Sequence, residues 1–89
     1  YKEKDPYDIY FLLKHYSGGA WAVAKGMLGY LNEPIVMEAV EAIREKFRSP
    51  RAEGLFQVAY FLAPEDEALR ERVQGDAFAT LRLFLESLP

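Results

Sequence analysis

The chain has no cysteine and a single histidine, His15. Disulfides and thiolate zinc sites are thereby excluded, and a metal site would have to be built from His15 and carboxylates. Positive charge is also in short supply. Eleven Lys and Arg against fourteen Asp and Glu leave a net charge of −3. A nucleic-acid module normally shows a basic face, so direct DNA binding is not expected. Arg44, Lys46, Arg48 and Arg51 do cluster, but Glu41, Glu45 and Glu53 interleave with them and blunt the field. No run approaches the about 18 apolar residues of a membrane span, and no signal-peptide pattern is present. The expectation is a cytoplasmic protein with no membrane partner.

What the chain does have is apolar and aromatic side chain. Hydrophobic residues make up 51% and aromatic ones 15% of its 89 residues, a composition that folds rather than stays disordered. A chain this short buries only about 60–65% of its extended surface. So small a core cannot take in every ring, and some aromatic surface needs a partner.

Helical spacing recurs along the chain. Asp5 reads as an N-cap, Pro6 as the first helical position, and Asp8 as a first-turn carboxylate that can reach back to the cap. A helix is expected over 6–16, with Ile9, Leu12, Leu13 and Tyr16 on its apolar stripe and Ser17-Gly18-Gly19 ending it. A second helix is expected over 20–31, with Trp21, Ala24, Leu28 and Leu31 on one face and Gly26 and Gly29 weakening it. A third runs over 33–47 on Val36, Val40, Ile43 and Phe47. The run 55–62 is short, apolar and bounded by Gly54 and Pro64, so periodicity leaves it open between a buried strand and a core helix. Helix is favoured because no second strand is visible to pair with it. The last helix is expected over 64–88, on Leu69, Val73, Ala77, Leu81, Phe84 and Leu88, with an Asp66–Arg70 pair on its surface and a bend at Gly75. The fold class expected is therefore all-α: a small bundle of four or five helices in one domain, 1–89.

Little of this carries chemistry by itself. His15 reads as a surface or partly packed histidine near a helix end. Ser17 follows no strand and has no histidine base placed for it, so it is not a nucleophile elbow. Gly18-Gly19 reads as a helix-ending loop rather than an anion cradle. Trp21 and the tyrosines read as core or domain-interface residues. The cluster Lys4, Asp5 and Asp8 is what remains, either as capping chemistry or as part of a site.

The run Lys4-Asp5-Pro6-Tyr7-Asp8-Ile9-Tyr10-Phe11-Leu12-Leu13-Lys14-His15-Tyr16-Ser17-Gly18-Gly19 resembles the start of the helical C-terminal part of minimal nucleotidyltransferase-fold proteins, the abortive-infection toxin nucleotidyltransferases among them. Glu45-Lys46-Phe47-Arg48-Ser49-Pro50, the later Gly54, the apolar segment ending Phe61-Leu62 and the closing Asp76-Ala77-Phe78 fit the same pattern. The resemblance covers most of the chain, although only the first block is a motif. It implies a parent whose sheet holds nucleotide and magnesium on strand carboxylates, while this helical part buttresses the sheet and lines the pocket edge. On that resemblance Lys4 faces phosphate, and Asp5 and Asp8 help to arrange the site. The strand carboxylates are absent from these 89 residues, so no metal is expected to be held, and no catalysis performed, by this chain alone. The partner implied is the missing N-terminal nucleotidyltransferase domain. The alternative is a free-standing helical interaction module that self-associates through an aromatic patch of Tyr1, Tyr7, Phe11 and part of 55–62. A helix-turn-helix DNA binder is disfavoured by the acidic balance.

Overall fold

The computed structural model describes residues 5–88. Five α-helices and one 3-10 turn make up the fold: α1 (Asp5–His15), α2 (Gly19–Met27), the 3-10 turn Leu28–Tyr30, α3 (Pro34–Lys46), α4 (Glu53–Leu62) and α5 (Glu67–Glu86). No strand occurs among the described residues. The segment left open between strand and helix is helical and begins earlier than expected, at Glu53.

Glycine, proline and a side-chain cap mark several of the helix boundaries. Gly18 and Gly19 take positive φ angles of 91° and 70°, a region open to glycine, and this turns the chain from α1 into α2. A Cβ on Gly18 would lie 2.7 Å from the Ala22 side chain, so the corner is tight as well as left-handed. The 3-10 turn winds down α2 in place of the longer helix expected over 20–31. Pro34 opens α3 at a position where a missing N–H costs nothing, and Glu33 before it is extended. Asp66 caps α5 through its side chain, accepting from the Leu69 amide at 3.0 Å.

The sequence suggested an Asp66–Arg70 ion pair, and the two residues do other work instead. With Asp66 committed to the cap, Arg70 donates to the carbonyls of Pro64 at 2.9 Å and Ala63 at 3.2 Å. Its guanidinium also lies over the Tyr60 ring, 4.5 Å from the centroid, and so locks the corner between α4 and α5.

Helix α4 sits at the centre. It packs against α1, α3 and α5, while α5 also packs on α1 and α2. Leu55 and Val58 of α4 are fully buried in one cluster with Ala77, Leu81 and Phe84 of α5, Ala20 and Ala24 of α2, Val40 of α3, Phe47 just after α3, and Leu13 of α1. Gly54 permits the closest approach: a Cβ there would lie 2.7 Å from the Lys46 carbonyl oxygen and 2.8 Å from the Phe47 ring.

Two expected stripes, those of α1 and α2, are turned from their expected phase, and that of α5 departs at one residue. On α1, Pro6 and Leu13 are buried and Ile9 and Tyr10 half-buried, whereas Leu12 and Tyr16 face out. On α2, Ala20 and Ala24 pack inward and Trp21 and Leu28 face solvent; Trp21 is 55% exposed and is not a core residue. On α5, Leu69 is exposed although the rest of its expected seam is buried or half-buried. No described helix is long and apolar enough to cross a membrane.

Candidate functional site

Helix α1 carries the residues that the resemblance selects, and its two faces do different things. Positions 6, 9, 10 and 13 turn inward. Positions 8, 11, 12 and 15 are spaced i, i+3, i+4 and i+7, share the opposite face, and are all exposed. Asp8 therefore stands on the outward face beside Phe11 and Leu12, which are 48% and 53% exposed. Lys4 and the side chain of Asp5 lie outside the described residues. Tyr1 does too, so its place in the expected aromatic patch is not described.

The other members of that patch are brought together. The Tyr7 ring stacks on Phe61 of α4 with centroids 4.5 Å apart and planes 28° from parallel. Tyr7 also meets Phe11 at 5.8 Å, and Phe11 meets the His15 ring at 4.3 Å. Rings at 7, 11 and 15 thus form a column along α1, as residues four apart on a helix must. Phe61 and Leu62 extend the apolar surface onto α4.

Between the faces of α1 lies a polar tie that sequence reasoning missed. The Tyr10 hydroxyl donates to the Asp76 carboxylate of α5, and Lys14 Nζ sits 3.1 Å from Asp76 Oδ2 and 3.3 Å from Oδ1. Burial pushes the Asp76 carboxyl up, but the hydrogen bonds from Tyr10 and Lys14 and the charge of Lys14 outweigh it and hold the group below the ordinary carboxylate range. Burial, then the hydrogen bond to Asp76 and the negative charge of Asp76, push the Tyr10 phenol well above the ordinary tyrosine value. A phenol so disfavoured from ionising is no base near neutral pH, so this cluster is a brace between α1 and α5. Only the i, i+4 spacing of Tyr10 and Lys14 hinted at it; the partner lies 62 to 66 residues away.

Two members of the basic cluster seen in the sequence, Arg44 and Arg48, come together with Arg82 of α5, while Lys46 and Arg51 do not join them. Arg44, Arg48 and Arg82 line an open cleft of about 490 Å³ with Phe47, Phe78, Leu85 and Glu86. Each arginine is matched by a carboxylate three or four residues away: Arg44 by Glu41 at 3.5 Å, Arg82 by Glu86 at 3.1 Å, and Arg48 by Glu45. The cleft therefore has little net field with which to draw an anion.

Magnesium was implied through the parent protein. Asp8 supplies one described carboxylate at the motif, and no group of three or more His, Asp or Glu able to hold a metal occurs among the described residues.

The fold and this surface define a small all-α bundle with an open, ring-lined face on its first helix. Comparison with known proteins adds no name to that class: no protein-family profile, no curated protein and no solved structure matches the chain.

Proposed function

We propose that the chain is the helical C-terminal part of a nucleotidyltransferase-like, toxin-type protein of the cytoplasm. It buttresses the catalytic sheet of its parent and lines the edge of a nucleotide pocket with the start of α1. The observation that carries this reading is the position of Asp8. The last carboxylate of the Lys4-Asp5-x-x-Asp8 run stands on the outward face of α1, next to exposed apolar side chains that call for a covering domain. In this role Lys4 faces phosphate and Asp5 and Asp8 arrange the pocket edge, while nucleotide and magnesium rest mainly on strand carboxylates of the parent. The 89-residue chain transfers no nucleotide by itself.

The second reading is a free-standing interaction module without enzymatic activity. It is favoured by the same exposed face, which serves any partner and needs no pocket.

The coding sequence upstream of Tyr1 separates the two. A Gly-rich loop followed by an Asp-x-Asp pair supports the first, and a start codon directly upstream supports the second. Incubation of the 89-residue chain with magnesium, labelled nucleoside triphosphates and RNA or protein acceptors should give no labelling. Labelling that disappears in Asp8→Ala would show that the chain is an enzyme in its own right and overturn the reading.

A further inference from the structure

Helix α2 packs its small residues inward and its large ones outward. Ala20 and Ala24 are buried, while Trp21 and Leu28, just past its last residue, face solvent. Trp21, Lys25 and Leu28 are spaced i, i+4 and i+7 and form one outward stripe, with Lys25 Nζ 5.4 Å from the Trp21 ring centroid. Tyr30, at the end of the 3-10 turn, is 61% exposed. The stripe lies in the longest part of the chain without negative charge. From Ile9 to Asn32 there is no Asp or Glu, although the chain has fourteen. Of the two lysines in that run, Lys14 is tied to Asp76, and Lys25 has no carboxylate partner among the described residues. On α5, which packs against α2, Asp76 and Glu86 are each engaged by a cation. We propose that the chain docks on an anionic phospholipid surface through α2, which lies in the plane of the headgroups with Trp21 and Leu28 among the upper acyl chains and Lys25 on the phosphates.

Charge and residue type together choose this occupant. A second copy on the same face would bring Lys25 toward Lys25, with no carboxylate in the run to meet either. A protein partner of fixed shape would read side chains, yet Gly26 and Gly29 are exposed and put bare backbone beside the stripe. A bilayer asks less of shape. It takes Trp and Tyr at its interface, where the ring meets the apolar layer and the polar tip stays wet, and it draws lysine to its phosphates. It repels carboxylates, and the run has none. The net charge of −3 lies outside the run, and at physiological salt it acts across only about 8 Å. The expectation of no membrane partner came from the absence of a spanning run, and a helix that lies on a bilayer needs none. The inference does not rest on the nucleotidyltransferase reading and uses a different helix from the one that carries Asp8.

Trp21 is the only tryptophan, so its fluorescence reports on this face alone. The 89-residue chain is mixed with vesicles of phosphatidylserine and phosphatidylcholine in equal parts, and with vesicles of phosphatidylcholine alone. Co-sedimentation should show binding that is about fivefold tighter to the anionic vesicles, the effect of one lysine near the surface. Trp21 emission should shift to the blue and be quenched by lipids brominated near the top of the acyl chain. Trp21→Ala should weaken binding by about tenfold or more, with the helical circular dichroism unchanged. Lys25→Glu should abolish the preference for anionic vesicles. Leu69→Ala, at an exposed apolar position in the first turn of α5, should bind as the parent chain does. Failure to bind the anionic vesicles overturns the proposal. So does binding that leaves Trp21 emission unshifted, since another face then meets the bilayer. Binding that survives in Trp21→Ala, or falls equally in Leu69→Ala, overturns it too. A concentration-dependent dimer of the 10.2 kDa chain that Trp21→Ala abolishes would give the face to a second copy and also overturn it. None of these outcomes bears on the sequence upstream of Tyr1 or on nucleotide transfer by a parent protein.

Discussion

At the scale of single residues, the brace from Tyr10 and Lys14 to Asp76 has a pH signature with opposite signs at its two ends. The Asp76 carboxyl ionises below its ordinary range in the fold, so its contribution is present above the unfolded value near about 3.9 and is lost as pH falls through the lower folded value. Tyr10 is raised in the fold, so its contribution is present below the unfolded value near about 10 and is lost as pH rises toward the folded one. Asp76→Asn should flatten the acid limb. Its cost near neutral pH should be only about 1 kcal/mol, because the Lys14–Asp76 pair is close to half exposed and screened by solvent. Urea melts at pH 3, 7 and 10 for both proteins check this; equal losses at every pH would show that the charge is not the source. Capping gives a second expectation. Asp66→Ala should cost about 1 kcal/mol and Asp66→Asn should largely restore it, because the side chain serves the Leu69 amide.

At the scale of elements, most helices were legible, and so were the buried faces of α3 and α5, but those of α1 and α2 were not. Pro34, Gly18-Gly19 and Asp66 mark their boundaries by local backbone chemistry, and local chemistry can be read from a sequence. Helix α4 was ambiguous because its residues are apolar on every side, as befits a central element, and an all-round apolar run has no period. The phase of α1 was misread for a related reason. Ile9-Tyr10-Phe11-Leu12-Leu13 offers a hydrophobic stripe in more than one direction, and the choice is made by packing against α4 and α5, far away in the chain. The site was legible only in part: Asp8 on α1 and the Tyr7, Phe11 and Phe61 grouping could be anticipated, but the Tyr10–Asp76 tie could not. The same contrast between local and distant constraint predicts how glycines respond. Gly54→Ala should destabilise by about 1–3 kcal/mol, because the new methyl meets the Lys46 carbonyl and the Phe47 ring. Gly75→Ala should stabilise by about 0.5–1 kcal/mol, since Gly75 is an exposed position in the middle of α5 and nothing lies within 4 Å of a Cβ there. Thermal melts that rank the two in the reverse order would contradict this packing of α3 on α4.

At the scale of the whole molecule, a bundle built around α4 leaves the outer face of its first helix uncovered, and that face begins at the motif. Asp8 makes no contribution to the buried core, so Asp8→Asn should cost the fold little, within the about 0.3–1 kcal/mol of a first-turn charge interaction. On the proposed reading Asp8 is nearly dispensable for folding but needed by a nucleotide pocket, which would separate stability from activity. The decisive measurement is therefore magnesium-dependent nucleotide transfer by the full-length parent carrying Asp8→Asn, set beside a denaturant melt of the same variant. Loss of transfer with the melt nearly unchanged is the expected result; full transfer with Asp8 neutralised would contradict the pocket role of α1.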